Sequence, residues 1–268
     1  MVSLVAGWAG GGRADASGGW TLKADAVYFK KLGSRTPLLT KKSREVRSIA
    51  SLSKLMSALV IVEKHLKLDE VTTIKRVDRK VAAGGARSRL LLGAKFTNRA
   101  LLYAALVASD NAAISALGRA VGLDEKRLVA AMNKRARLMG LSHTRFADPV
   151  GIDHRNVSTA REVGYMLEAA LTNRVLSHVM KTRERYVRAV WPKRLGINYL
   201  NTNLLLHRGN LKVLGGKTGY NSKAGYCLAS AVRIKGYGKI VGVVLGSSSK
   251  LARFRDFRVS ASRLRRGR

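Results

Sequence analysis

The chain has 268 residues, 46% of them hydrophobic, and its 51 Lys and Arg against 16 Asp and Glu give a formal charge of +35. That apolar content excludes a disordered chain, and a single cysteine, Cys227, excludes an internal disulfide or a cysteine metal cluster. The five histidines lack any zinc-protease spacing, so neither metal nor cofactor is expected, and no apolar run approaches the roughly 18 residues a membrane helix needs.

In chain order, residues 1–20 are weakly apolar without a basic start, and Ala14-Asp15-Ala16 resembles a cleavage site. A flexible terminus or the remnant of an export signal is expected there, followed by one domain over 21–268 with a helical lobe over about 70–175. Residues 26–31 and 36–40, split by Leu32-Gly33-Ser34-Arg35, predict a hairpin. Ser51-Leu52-Ser53-Lys54 then opens a mostly apolar stretch that predicts a buried helix over about 51–66.

Ser51 and Lys54 are three residues apart and so share one helix face. A serine hydroxyl is a poor nucleophile unless a neighbour takes its proton, and lysine does so only when neutral. A free lysine titrates near about 10.4. Burial among Ile49, Leu52, Leu55 and Met56, and a second cation supplied by Lys217, would both lower that value. The backbone N–H of Ser51, at the positive end of the helix, is a natural donor to a developing oxyanion.

Ser109-Asp110-Asn111 interrupts an apolar stretch and predicts either a turn between buried helices or a site. As a site, Ser109 relays a proton to the leaving amine, and Asn111 contacts the substrate amide and Lys54. Leu123 to Met139 has helical spacing and ends at Gly140, and Thr159-Ala-Arg-Glu162 is a capping-box pattern opening the next helix. Gly215-Gly216-Lys217-Thr218-Gly219-Tyr220 predicts a strand, on which an extended peptide aligns by adding itself to an edge. Lys217 and Thr218 would hold a carboxylate there, the glycines would admit a close backbone, and the Tyr220 N–H would complete the oxyanion hole.

Strands and glycine turns follow, with Cys227 expected as a small core residue, and Leu251, Phe254, Phe257, Ala261 and Leu264 outline a terminal helix. Ser247-Ser-Ser-Lys250 repeats the serine–lysine spacing and is assigned no role. The basic residues, densest from Arg253 to Arg268, would attract polyanions non-specifically, such as nucleic acid, anionic lipid or an acidic cell wall. No motif for specific nucleic-acid recognition accompanies them.

The ordered set S-x-x-K, S-D-N and K-T-G is the signature shared by penicillin-binding proteins and class A β-lactamases. The surrounding sequence resembles the D-alanyl-D-alanine carboxypeptidase/endopeptidase family, the low-molecular-mass penicillin-binding proteins. The resemblance includes Arg47-Ser-Ile-Ala-Ser-Leu-Ser-Lys-Leu-Met, Arg87-Ser-Arg-Leu, His143-Thr-Arg-Phe-Ala-Asp-Pro-Val-Gly and Asn156-Val-Ser-Thr-Ala-Arg. It continues through Asn201-Thr-Asn-Leu-Leu and Gly215-Gly-Lys-Thr-Gly-Tyr-Asn-Ser-Lys-Ala-Gly-Tyr-Cys-Leu, so that it covers residues 25–265. Thr182-Arg-Glu-Arg and Ala261-Ser-Arg-Leu are most similar to the endopeptidase branch typified by penicillin-binding protein 7. The extra β-rich domain and amphipathic tail of the carboxypeptidase branch are not expected, since 49 residues follow Gly219. Val150 and Asp153 depart from the family's D-P-T-G-L-S stretch.

The resemblance implies an α+β fold of the β-lactamase/transpeptidase type: an antiparallel sheet flanked by helices beside an all-helical lobe. It implies extracytoplasmic, periplasmic hydrolysis of peptidoglycan stem peptides or cross-links through an acyl-enzyme on Ser51, with β-lactams as inhibitors. A β-lactamase of the same fold would need a deacylating glutamate, and the nearest candidate, Glu168, lacks the spacing. A non-catalytic cationic cell-wall binder is the remaining alternative.

Overall fold

The computed structural model describes residues 22–207 and 211–266, so the expectation for residues 1–20 lies outside the described residues. In chain order the elements are β1 (Ala26–Lys31), β2 (Pro37–Lys41), β3 (Arg47–Ser48), a 3-10 turn (Ala50–Ser53) and α1 (Lys54–Glu63). They continue with β4 (Val71–Thr73), α2 (Arg76–Val81), β5 (Lys95–Thr97), α3 (Asn98–Val107), α4 (Asn111–Ala120) and α5 (Glu125–Leu138). Then come β6 (Val157–Ser158), α6 (Ala160–Thr172), α7 (Arg174–Met180), β7 (Glu184–Arg188) and β8 (Gly196–Leu200). Last are β9 (Lys212–Asn221), β10 (Gly225–Ile234), β11 (Gly238–Ser247) and α8 (Ala252–Arg266).

Strands from both ends of the sequence form one antiparallel sheet of five, ordered β2-β1-β11-β10-β9. Alternate residues serve opposite faces, as the two-residue period of a strand requires. Ala26 and Tyr28 join the larger core shared with the helices, while Val27 and Phe29 join the core beneath α8. Phe254, Phe257, Ala261 and Leu264 cover that second face, with the Phe257 ring tilted against Phe29 at a centroid distance of 5.0 Å. Leu251 was expected among them, but it precedes the helix and is 56% exposed.

Residues Lys54 to Ile61 of α1 are all buried, and the helix packs against α4, α5 and α6. It stops earlier than its apolar pattern predicts, because His65 adopts a φ of +57° that no helix continues. Helix α5 fits its predicted limits, with Asp124 accepting from the Arg127 N–H and Gly140 at φ +70° ending it. The lobe it belongs to also holds a short ribbon of β4 and β5. Helix α6 lies on β1 and β11, tied to the hairpin by the buried Lys30, whose ammonium pairs with Glu168. At its start, Thr159 accepts from the Glu162 N–H as a cap should. The Glu162 carboxylate, however, serves the His143 N–H at 3.1 Å and the Thr144 hydroxyl at 2.6 Å, so only half of the predicted capping box forms.

Candidate active site

Ser51 lies in the 3-10 turn rather than in an α-helix, and the residue before it, Ala50, takes a φ of +47°. Such a conformation is unfavourable for a non-glycine residue and persists where surrounding structure enforces it. Lys54 is completely buried, and its Nζ stands 2.8 Å from Ser51 Oγ and 2.6 Å from the Val150 carbonyl oxygen. Burial pushes its pKa down to about 7, against an upward pull from the Asp148 and Asp110 carboxylates. A neutral amine at this position donates to Val150 O and accepts the Ser51 hydroxyl proton through its lone pair.

The loop that supplies Val150 O is built around Asp148. Its carboxylate accepts from the N–H groups of Val150, Gly151 and Asp153 at 2.5, 2.6 and 2.5 Å. The buried Asn156 fastens the loop to the nucleophile turn, donating to Asp148 O at 2.8 Å and to Ser53 Oγ at 2.9 Å. Gly151 sits at φ +87°, where an added Cβ would lie 2.0 Å from Ala50 O. The departure at Val150 leaves this contact intact, because the chain meets Lys54 through its backbone. Asp153 is held down to about 2 by hydrogen bonds from Arg155.

Ser109 lies in the turn between α3 and α4, Asn111 opens α4, and both line the cleft above Ser51. Ser109 takes a φ of +64°, and Asp110 caps α4 through the Ala113 N–H while accepting from Ser88 Oγ at 2.8 Å. The expected hydrogen bond between Asn111 and Lys54 is not present among the described residues. The Asn111 amide lies instead against Gly85, where a Cβ would come within 2.4 Å of its Nδ2.

Strand β9 is an edge strand, as substrate addition requires, and its backbone lies against the nucleophile turn. A Cβ on Gly219 would be 2.9 Å from Ile49 O and 3.2 Å from the Ser51 N, so only glycine lets the strand approach this closely. Lys217 is buried behind the cleft and donates to Thr218 O at 2.9 Å. Burial, then the charges of Lys54 and Arg253, hold its ammonium well below the usual lysine range. The lowering of Lys54 expected from Lys217 is not found: burial lowers Lys54, whereas the charge of Lys54 lowers Lys217.

Thr218 donates to the Thr202 hydroxyl at 2.7 Å, and Tyr220 stacks on Tyr226 at 4.2 Å. Together Ser51, Ser109, Asn111, Thr218, Gly219 and Tyr220 line one cleft of about 880 Å³, while Lys54 and Lys217 are buried behind its lining. Sequence reasoning missed two further cations there. Arg253 of α8 donates to the Gly219 carbonyl at 3.1 Å, and the exposed Lys250 stands on the cleft wall. Arg253 opens the basic run that the sequence presents only as bulk charge, and Lys250 ends the second serine–lysine spacing, to which no role is assigned. Cys227 is buried, and burial pushes its thiol up to about 11, so it is inert.

Residues 22–249 match the family model described as D-alanyl-D-alanine carboxypeptidase. The chain belongs to this family. It is a serine hydrolase with the mixed fold of its relatives. It is 34% identical to a D-alanyl-D-alanine endopeptidase of Pseudomonas aeruginosa, covering 92% of this chain and 76% of that protein. It is 32% identical to a D-alanyl-D-alanine carboxypeptidase of a Streptomyces species, with coverage of 94% and 91%. The crystal structure of a Streptomyces DD-transpeptidase superposes with a TM-score of 0.83 at 30% identity, covering 91% of this chain and 97% of that one.

Proposed function

We propose that this family member cleaves the peptide bond after a D-alanine in peptidoglycan stem peptides or their cross-links, by way of an acyl-enzyme on Ser51. The observation that carries this reading is the buried Lys54 amine 2.8 Å from Ser51 Oγ, lowered to about 7. Neutral Lys54 takes the hydroxyl proton as Ser51 Oγ bonds to the D-alanyl carbonyl carbon. The carbonyl oxygen becomes an oxyanion, received by the N–H groups of Ser51 and Tyr220. When it collapses, the C–N bond breaks, and the proton returns from Lys54 through Ser109 to the leaving amine. Water then reverses the sequence, yielding the stem peptide with a free carboxylate and restoring the serine. Asn111 orients the substrate amide, while Lys217, Thr218 and Gly219 hold the carboxylate and the extended backbone.

A β-lactam meets the same serine, and we infer slow release of its acyl group. In support, Glu168 is committed to Lys30 and to the Gly33 N–H, away from the cleft, so it is no base for a deacylating water. The substrate places the enzyme outside the cytoplasmic membrane, and no helix among the described residues is long and apolar enough to cross one.

The test is labelling with fluorescent penicillin, followed by digestion of purified cross-linked and uncross-linked muropeptides. Wild type should label and Ser51→Ala should not; equal labelling removes the serine mechanism and leaves a cationic wall-binding protein. Rapid penicillin turnover would instead make it a β-lactamase. The two muropeptide substrates divide endopeptidase from carboxypeptidase action.

A further inference from the structure

The cleft leaves most of the +35 charge unused, since its catalytic lysines are buried and held toward neutrality. At the opposite edge of the sheet, β2, the loop leading to β3 and the start of α6 enclose a groove of about 690 Å³. Arg35, Lys42, Arg44 and Arg161 line it, with Glu45 as its one carboxylate. Glu45 is already engaged by Arg47 at 2.6 Å and by Lys42 at 3.7 Å. The guanidinium groups of Arg35 and Arg44 make no hydrogen bond or ion pair among the described residues. Arg161 meets no carboxylate, but it has the Tyr165 hydroxyl 3.3 Å from its Nε, the face of that ring and the neighbouring Tyr28 hydroxyl.

A second observation lies in the groove wall. Tyr28 is 1% exposed, and its hydroxyl faces Arg161 and Tyr165 without a hydrogen bond of full geometry to either. Buried polar groups are normally satisfied, so this hydroxyl has capacity left to donate to an oxyanion in the groove. Thr40 and Ser43 line the same groove, and a smaller cavity sharing Arg44 and Arg161 extends it past Thr159.

We propose that this groove binds a phosphate-class oxyanion. One guanidinium fork satisfies both oxygens of a carboxylate, so a single arginine would suffice for that ligand. Three arginines, a lysine and several hydroxyls instead fit a group with three or four acceptor oxygens and a charge approaching −2. β2 and β9 are the two edges of the sheet, four strand spacings or roughly 19 Å apart. An anion held at β2 therefore leaves the cleft free, and on a polymer it would moor the enzyme while Ser51 works. Inorganic phosphate, a phosphodiester polymer and a phospholipid headgroup share this chemistry.

Calorimetric titration of the full chain at fixed ionic strength separates them, with inorganic phosphate, poly(glycerol phosphate) and phosphatidylglycerol vesicles as probes. Polyglutamate of matched charge is the carboxylate control. The tightest of the three phosphate probes identifies the source. The double variant Arg35→Gln/Arg44→Gln, both exposed positions, should bind it about tenfold more weakly. Lys126→Gln/Arg137→Gln, which removes the same charge from α5, should bind as wild type does. Tyr28→Phe should weaken binding a few-fold while leaving Tm in place, and penicillin labelling should be unaffected in every variant. Equal weakening by the two double variants, polyglutamate binding as tightly as the phosphate probes, or no binding by any of them would each overturn the proposal.

Discussion

The two edges of the sheet carry the same sign of charge and do opposite things with it. At the β9 edge the two cations nearest Ser51, Lys54 and Lys217, are sealed behind glycine backbone and the nucleophile turn, and burial strips them toward neutrality. Along β2 they are mainly arginines open to solvent, and a guanidinium does not give up its proton in a protein. Lysine can serve as a base because desolvation can discharge it; arginine serves as a permanent anchor because nothing does. Position relative to water, rather than the count of basic residues, decides which cations react and which attract.

Replacing the base breaks this contrast most directly. Lys54→Met should slow acylation by penicillin about a thousandfold. Its Tm should hold or rise, because a buried amine no longer has to lose its water; a rate near wild type would remove Lys54 from the chemistry. Next is Gly151→Ala, which presses a Cβ into Ala50 O at a left-handed φ. It should cost on the order of 3 kcal/mol in urea unfolding and lose labelling with it.

A pH series sharpens the same contrast. Acylation should rise through a midpoint near 7 and fall about tenfold per unit below it, as Lys54 takes up its proton. The linked stability effect has a definite sign. Between about 7 and 10.5 the unfolded chain keeps the Lys54 proton that the folded chain has released. Stability relative to Lys54→Met should therefore climb with pH across that window and level off on either side. A difference that is flat throughout would mean that Lys54 is not discharged by folding. The smallest effect is expected at the cleft rim. Lys250→Ala should raise KM for an anionic stem peptide a few-fold with kcat unchanged, as loss of one exposed charge does.

Local patterns made much of this molecule legible. The β1–β2 hairpin, α5, the strand bearing Lys217 and the buried face of α8 follow periodicity and turn chemistry that a sequence displays directly. So do the site candidates Ser51, Lys54, Ser109, Asn111, Lys217, Thr218 and Gly219, whose three motifs announce themselves by order. What stayed hidden acts through backbone or across long separations. Val150 contributes a carbonyl 96 residues from Lys54, so its side chain carries no signal. Asp148 shapes that loop through three N–H groups, and Arg253 reaches Gly219 from a helix read only for its apolar stripe. The half-formed cap at Thr159 has the same origin: Glu162 found better partners in His143 and Thr144 than the pattern could foresee.

The pairing of β1 with β11 sets a clock on the enzyme. Ala26 meets Leu245 and Lys31 meets Ile240, so the first described strand waits for the last before it has a neighbour on that side. Such long-range pairing is slow to form, because chain entropy is lost well before the contact rewards it. β9 reaches the rest of the sheet only through β10 and β11, and β9 is what seals Ser51 and Lys54. A chain in which all three motifs are present but β11 is unpaired therefore lacks the support that holds β9 against Ser51. The setting of the three motifs depends on residues beyond Gly238, which lie outside all of them.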